Sequence, residues 1–283
     1  MIKNLILTFS FLLPLVSIEA SEGKPYEMPR THVIPVKNSV SGWQYDLYIK
    51  LPEGYLEKNA TKYPVIYFPD AAWNIEILSA STEFLMEEVI LVGISWQTDI
   101  DADLKKEAGI HVSRYRDYTM KESAKPEIQT KYQLGKAGKH LNFIRTDIID
   151  YVEKNYRVDP GNRTFFGYSL GSEFGAYILF TQPDTFKNYI LGSPSLVGDI
   201  PHLIELASHS ESETKSLNAN VFVSYGSLEK ELGEHAEKLI AILKSRNDKS
   251  LSLKHVVIEG DHQAALPMTV VRSVTWLSAL AGE

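Results

Sequence analysis

The chain contains no cysteine, and that absence removes a good deal of chemistry. Disulfide staples, thiolate zinc sites, cysteine nucleophiles and lipid attachment to a cysteine behind a leader are all excluded. Basic clusters are lacking too. Lysine and arginine are spread along a chain of net charge −7, so no nucleic-acid partner is expected. Beyond the leader, no stretch approaches the roughly 18 consecutive apolar residues that a membrane-spanning helix needs. No histidine pair has H-E-x-x-H spacing, and no glycine loop is built for phosphate. Asp99-Ile-Asp101-Ala-Asp103 begins as a calcium loop does. However, Leu104 stands where the turn needs glycine, and Ile110 where the bidentate glutamate belongs. No metal and no other cofactor is implied, and nothing fixes an oligomeric state.

The first segment, Met1 to Ala20, reads MIKNLILTFSFLLPLVSIEA. An early Lys3, an apolar run and a terminal small residue are the grammar of a secretory signal peptide cleaved after Ala20. An uncleaved anchor is the competing reading. The run from Leu5 to Ile18 is short for one, and is interrupted by Thr8, Ser10 and Pro14. Export is therefore expected, to a bacterial periplasm or beyond, with no stable membrane insertion once the leader is gone. A chain of 283 residues, 44% of them hydrophobic, can build a core without disulfides.

Residues 21–283 fit one α/β domain. Ser21 to Arg30 reads as a loose lead-in. YDLYIKL (Tyr45 to Leu51) alternates as a half-buried edge strand does. Pro64 to Phe68, Val89 to Ser95, Arg163 to Tyr168, NYILGSP, Asn220 to Tyr225 and Leu253 to Glu259 are continuous apolar runs, as strands covered on both faces require. Helical periods lie between them. Phe143, Ile144, Ile148, Tyr151 and Val152 share one face; so do Leu239, Ile240, Ile242 and Leu243, and then Val270, Val271, Val274 and Leu277. This alternation predicts a mostly parallel sheet with helices on both faces. Asp99 to His140 breaks the rhythm and is the natural place for an insertion over a site.

The strongest local signal is Gly167-Tyr168-Ser169-Leu170-Gly171. It is a G-x-S-x-G with a strand before it and a helix-compatible segment after it. The glycines permit the sharp turn that exposes the serine hydroxyl, and the helix start offers unpaired N–H groups to an oxyanion. An ordinary glycine turn is the competing reading. In this fold class a histidine after the last strand serves as base. His262 has that position, whereas His255 lies inside the strand. The acid should follow Asn220 to Tyr225, where Glu229 is the first carboxylate. Glu231 and Glu234 read as a solvated helix face, and Asp261 is too close in sequence for a linear bond to the ring. The oxyanion donors are expected to be the N–H of Leu170 and that of Ala72, in the loop FPDAAW, for which a plain tight turn competes.

With these residues in place, the chain resembles the putative-esterase branch of the α/β-hydrolases, and most closely its periplasmic siderophore-trilactone esterases. Esterase D-type enzymes and mycolyltransferases are more distant. The resemblance runs through VIYFPDAAW, RYRDYT, LNFIRTDIIDYVEKNYRVDPGNRTFFGYSLGS, FTQPDTFKNYILGSPSL, FVSYGSLEKE and IEGDHQAALP. It implies an α/β-hydrolase fold, Ser169 and His262 as catalytic residues, and a small-molecule ester substrate. It also places the loop bearing Arg114 and Tyr115 near that substrate, with Tyr168 a further contact. Arg114 and Arg116, among aromatic neighbours, could face an anionic aromatic ligand. Departures from the family pattern are Asp70-Ala71 for Asp-Gly, Tyr168 for histidine, Ser172 for glycine and Val197 for tryptophan. A sugar-ester (acetyl or feruloyl) esterase, an acyltransferase, and a silent binding module or interaction protein are the alternatives.

Overall fold

A computed structural model describes residues 23–58, 60–212 and 216–281; the expected signal peptide lies outside them. The strands are β1 (Thr31–Lys37), β2 (Gln44–Lys50), β3 (Tyr63–Phe68), β4 (Ile90–Ile94), β5 (Val158–Tyr168), β6 (Asn188–Gly192), β7 (Asn220–Gly226) and β8 (Ser252–Ile258). The helices are α1 (Ala71–Leu85), α2 (Ala102–Ala108), α3 (Ser113–Tyr118), α4 (Pro126–Tyr132), α5 (Ala137–Phe143), α6 (Ile149–Asn155), α7 (Leu170–Thr181), α8 (Ile200–Ser212), α9 (Lys230–Ser245) and α10 (His262–Ala281). A π-helical turn, Ile144–Ile148, joins α5 to α6.

Together they form one sheet in the order β1-β2-β4-β3-β5-β6-β7-β8. The pairs β1–β2 and β2–β4 are antiparallel, and every other neighbouring pair is parallel. The apolar runs are continuous because both faces of the central strands are covered. Ile66, Phe68, Phe166, Ile190 and Phe222 pack with α1 and α10 on one side. On the other, Val65, Tyr67, Phe165, Tyr189, Val221 and Val223 pack with residues of α6, α7, α8 and α9. This is the α/β-hydrolase fold.

One expectation needs correction. β2 is not an edge strand, because β1 pairs along its whole length. Pro35 within β1 weakens the strand signal in sequence; a proline is tolerated there because β1 itself forms the edge. The segment from Asp99 to His140, which breaks the strand–helix rhythm, folds into α2, α3, α4 and the first part of α5. No helix among the described residues is long and apolar enough to cross a membrane.

The sheet fixes where chemistry can occur. Parallel strands β5 to β8 all end on the same side, so the residues following them converge there. The turn after β5 is tight. A Cβ on Gly167 would run into the Gly171 carbonyl oxygen and the Phe165 ring. Gly167→Ala is therefore expected to cost about 3 kcal/mol through backbone overpacking. Urea unfolding measures it, and an unchanged midpoint would contradict this packing.

Candidate active site

Ser169 follows the last residue of β5 and precedes the first of α7, with φ 56° and ψ −120°. A side chain in that sparsely populated region persists only where its surroundings enforce it, and such strain concentrates at functional sites. Here the Ser169 N–H donates to the Gly192 carbonyl at 2.9 Å. Behind it, the Ser172 hydroxyl lies 2.7 Å from both the Gly167 and Gly192 carbonyl oxygens, bracing the turn against β6.

His262 opens α10, four residues after β8 ends. Its Nδ1 lies 2.5 Å from Glu229 Oε1, and the Glu229 side chain is only 3% exposed. Glu229 itself comes three residues after β7 and immediately precedes α9, with its side chain turned away from capping that helix. The histidine reaches the serine's turn through the residue next door. Tyr168 donates its hydroxyl proton to the His262 carbonyl oxygen at 2.5 Å, and the two rings lie 5.1 Å apart. The structure thus brings together the turn bearing Ser169, His262 and Glu229. The competing acids are elsewhere engaged: Asp261 accepts from the Ala264 N–H at 2.9 Å, and Glu231 and Glu234 are exposed. His255 is an exposed residue of β8 near Lys244.

Leu170 is the first residue of α7, so its N–H has no intrahelical acceptor and remains available. Ala72 does not sit in a loop, as the sequence led us to expect. FPDAAW turns directly into α1 at Ala71, with Asp70 as a left-handed N-cap at φ 56°. The Asp70 carbonyl accepts from Trp73 at 2.9 Å and from Asn74 at 3.2 Å. Ala72 therefore offers an N–H of a helix's first turn, with the dipole aligned behind it. The two helix starts are neighbours: a Cβ on Gly171 would lie 3.2 Å from Pro69 Cγ.

Three of the residues expected near the substrate have partners within the protein. The Arg114 guanidinium is engaged by Asp70, Nε to Oδ1 at 3.0 Å and Nη2 to Oδ2 at 2.9 Å. Trp96 Nε1–H completes the Asp70 clamp at 2.6 Å. Arg116 is consumed by Asp117, Gln97 and Tyr45, and stacks 3.6 Å from the Trp43 ring. The Tyr168 hydroxyl is committed to His262. Only Tyr115 is substantially open to solvent, in an aromatic run with His111 and Tyr132.

The sequence did not point to Ser193, whose hydroxyl lies 2.7 Å from Glu229 Oε2, nor to Glu173. The only signal for Ser193 was its place directly after a buried strand. Glu173, in the first turn of α7, is buried, which pushes its carboxyl up to about 9; the Asp199 charge adds to the rise, and the Met120 N–H and Lys121 oppose it.

Two outcomes follow from these buried acids. Arg114→Ala leaves Asp70 buried without its cation and is expected to cost about 3 kcal/mol in urea unfolding; a neutral result would show the clamp to be dispensable. Glu173 keeps its proton in the folded state well above its ordinary value of 4.5. Its contribution to stability is complete below that ordinary value and is lost as pH rises towards about 9. Glu173→Gln should therefore gain stability on the wild type between pH 5 and pH 8.5, read as a widening gap in urea midpoint. A constant gap would contradict the buried, protonated carboxyl.

Comparison with known proteins places the chain in a family. The model of the family described as Putative esterase matches residues 38–265. The ferri-bacillibactin esterase BesA of Bacillus subtilis is 26% identical over 272 residues, covering 88% of this chain and 90% of that one. Among solved structures, the BES protein from Bacillus cereus superposes with a TM-score of 0.77 at 24% identity, over 92% of this chain and 98% of that one. An IroE-like serine hydrolase from Shewanella oneidensis gives 0.74 at 20% identity, over 88% and 80%. The family match spans most of the chain, and the protein belongs to the putative esterase family.

Proposed function

We propose that the protein is an exported serine esterase that hydrolyses carboxylic esters through an acyl-serine intermediate, its single catalytic domain spanning residues 21–283. The observation that carries this reading is the 2.5 Å contact between His262 Nδ1 and the buried carboxylate of Glu229. It commits the Nδ1 proton to Glu229 and leaves the Nε2 lone pair free to act as base. Glu229 stabilises the imidazolium that forms and does not itself take the proton.

In the first half-reaction, Ser169 Oγ attacks the ester carbonyl carbon while His262 Nε2 takes its proton. The carbonyl oxygen gathers the negative charge, and the N–H groups of Leu170 and Ala72 bind it. The tetrahedral adduct collapses, the ester C–O bond breaks, and His262 returns the proton to the leaving alcohol. In the second, His262 deprotonates a water that attacks the acyl carbon, and the proton passes back to Ser169 as the acid leaves. No cofactor enters the scheme.

Family membership supports a small-molecule ester as substrate. A siderophore-type lactone is the class we favour, because a ferri-bacillibactin esterase matches this chain nearly end to end. The signal-peptide grammar of the first twenty residues supports export.

The test is a hydrolysis panel: catecholate trilactones, acetylated and feruloylated sugars, and nitrophenyl esters of graded chain length. The trilactones should give the highest kcat/KM, and preference for a sugar ester would overturn the substrate class. Ser169→Ala should lose about 10⁴-fold or more in kcat. A folded Ser169→Ala protein that retains most of its activity would sink the mechanism.

A further inference from the structure

Four consecutive strands, β5 to β8, each deliver one polar side chain to the same edge of the sheet. Tyr168 ends β5, Ser193 follows β6, Glu229 follows β7 and His262 follows β8. Glu229 divides its carboxylate between two tasks. Oε1 faces the imidazole, while Oε2 accepts from the Gly226 N–H and from the Ser193 hydroxyl at 2.7 Å. The Ser193 hydroxyl also lies 3.0 Å from the Tyr168 hydroxyl. Since it carries one proton, the carboxylate, as the stronger acceptor, receives it. Tyr168 in turn gives its proton to the His262 carbonyl oxygen at 2.5 Å.

Ser193 is fully buried and held at φ 42°, in the left-handed region that a residue with a Cβ rarely adopts. Its N–H is fixed by the Ser224 carbonyl at 2.7 Å. A strained, buried serine aimed at an acid is not needed to close the sheet, because a glycine would serve there. Tyr168 is likewise buried, and burial pushes its hydroxyl up to about 12, so it remains a donor across the working pH range. The other carboxylate acting on it is that of Asp261.

We infer that Tyr168 and Ser193 are positioning residues for hydrolysis. Tyr168 holds the backbone and ring of His262, and Ser193 holds Glu229, so that the acid and the base keep one arrangement through the reaction. This inference rests on the serine-esterase reading above. Neither residue touches the reacting atoms; each acts through a residue that is placed to do so.

The experiment compares Tyr168→Phe, Ser193→Ala, Ser193→Gly and the Tyr168→Phe/Ser193→Ala pair with the wild type. A nitrophenyl ester supplies kcat, KM and the pH profile, and fluorophosphonate labelling of Ser169 reports on the nucleophile. Tyr168→Phe and Ser193→Ala should each lower kcat by about 10- to 100-fold, with KM unchanged, because the imidazole drifts from its working position. Ser193→Ala also removes a donor from the carboxylate, leaving it more basic, so the acid limb of kcat/KM should move to higher pH. Ser193→Gly removes the hydroxyl while suiting the φ of 42°, and should lose the same rate without losing stability. The double variant should lose less than the product of the single losses, as members of one network do. The inference is overturned if both single variants keep kcat within twofold with the acid limb unmoved. It is also overturned if their losses only track a fall in melting temperature. Wild-type labelling at Ser169 with an equal rate in Tyr168→Phe would overturn the positioning role alone. A wild-type protein that does not label would overturn the serine-esterase reading beneath it.

Discussion

The hydrogen bond between Glu229 and His262 is the constraint on which the site depends. The two residues are 33 positions apart in sequence, and only the parallel pairing of β7 with β8 brings their strand ends side by side. A carboxylate as buried as Glu229 is costly unless every lone pair is answered. Three groups answer it: the imidazole of His262, the Gly226 N–H and the Ser193 hydroxyl. The local backbone is shaped to supply them. A Cβ at Gly226 would meet Glu229 Oε2 and the Gly260 carbonyl, so the close approach of acid to strand requires a glycine there.

The same logic governs the start of α1. Asp70 is buried, left-handed and placed at the start of α1. Alone, it would be an uncompensated charge in a low-dielectric interior. Arg114 reaches in from α3, and Trp96 from beyond β4, to neutralise and fix it. The helical segment between β4 and β5 therefore braces the turn that carries Ala72, one of the two backbone donors of the proposed mechanism. On this view it does so before it does anything to a substrate. Rigid donors aimed at a developing charge need no reorganisation during reaction, which is where electrostatic catalysis gains most.

Much of the fold was legible because central parallel strands must be apolar on both faces. Pro64 to Phe68 and Asn220 to Tyr225 announced themselves for that reason. The serine turn was legible from its glycines, and His262 and Glu229 from their places after β8 and β7. What sequence order could not convey was partnership across space. Arg114 looked like a ligand contact because nothing in RYRDYT reveals that Asp70, 44 residues earlier, takes its guanidinium. Tyr168 looked similar, since a phenol beside a nucleophile gives no hint that its hydroxyl faces a carbonyl 94 residues later. β1 was hidden by Pro35, which weakens the strand pattern while being compatible with an edge.

The central claim is that Ser169 carries the acyl group between the two half-reactions. Mixing the protein with a slow-turnover nitrophenyl ester, quenching in acid within the first turnover and weighing the intact chain tests it directly. The expected result is a mass gain equal to one acyl group, mapped by peptide digestion to the segment containing Ser169. A chain that turns over the ester with no such adduct, or with the acyl group on another residue, would contradict it.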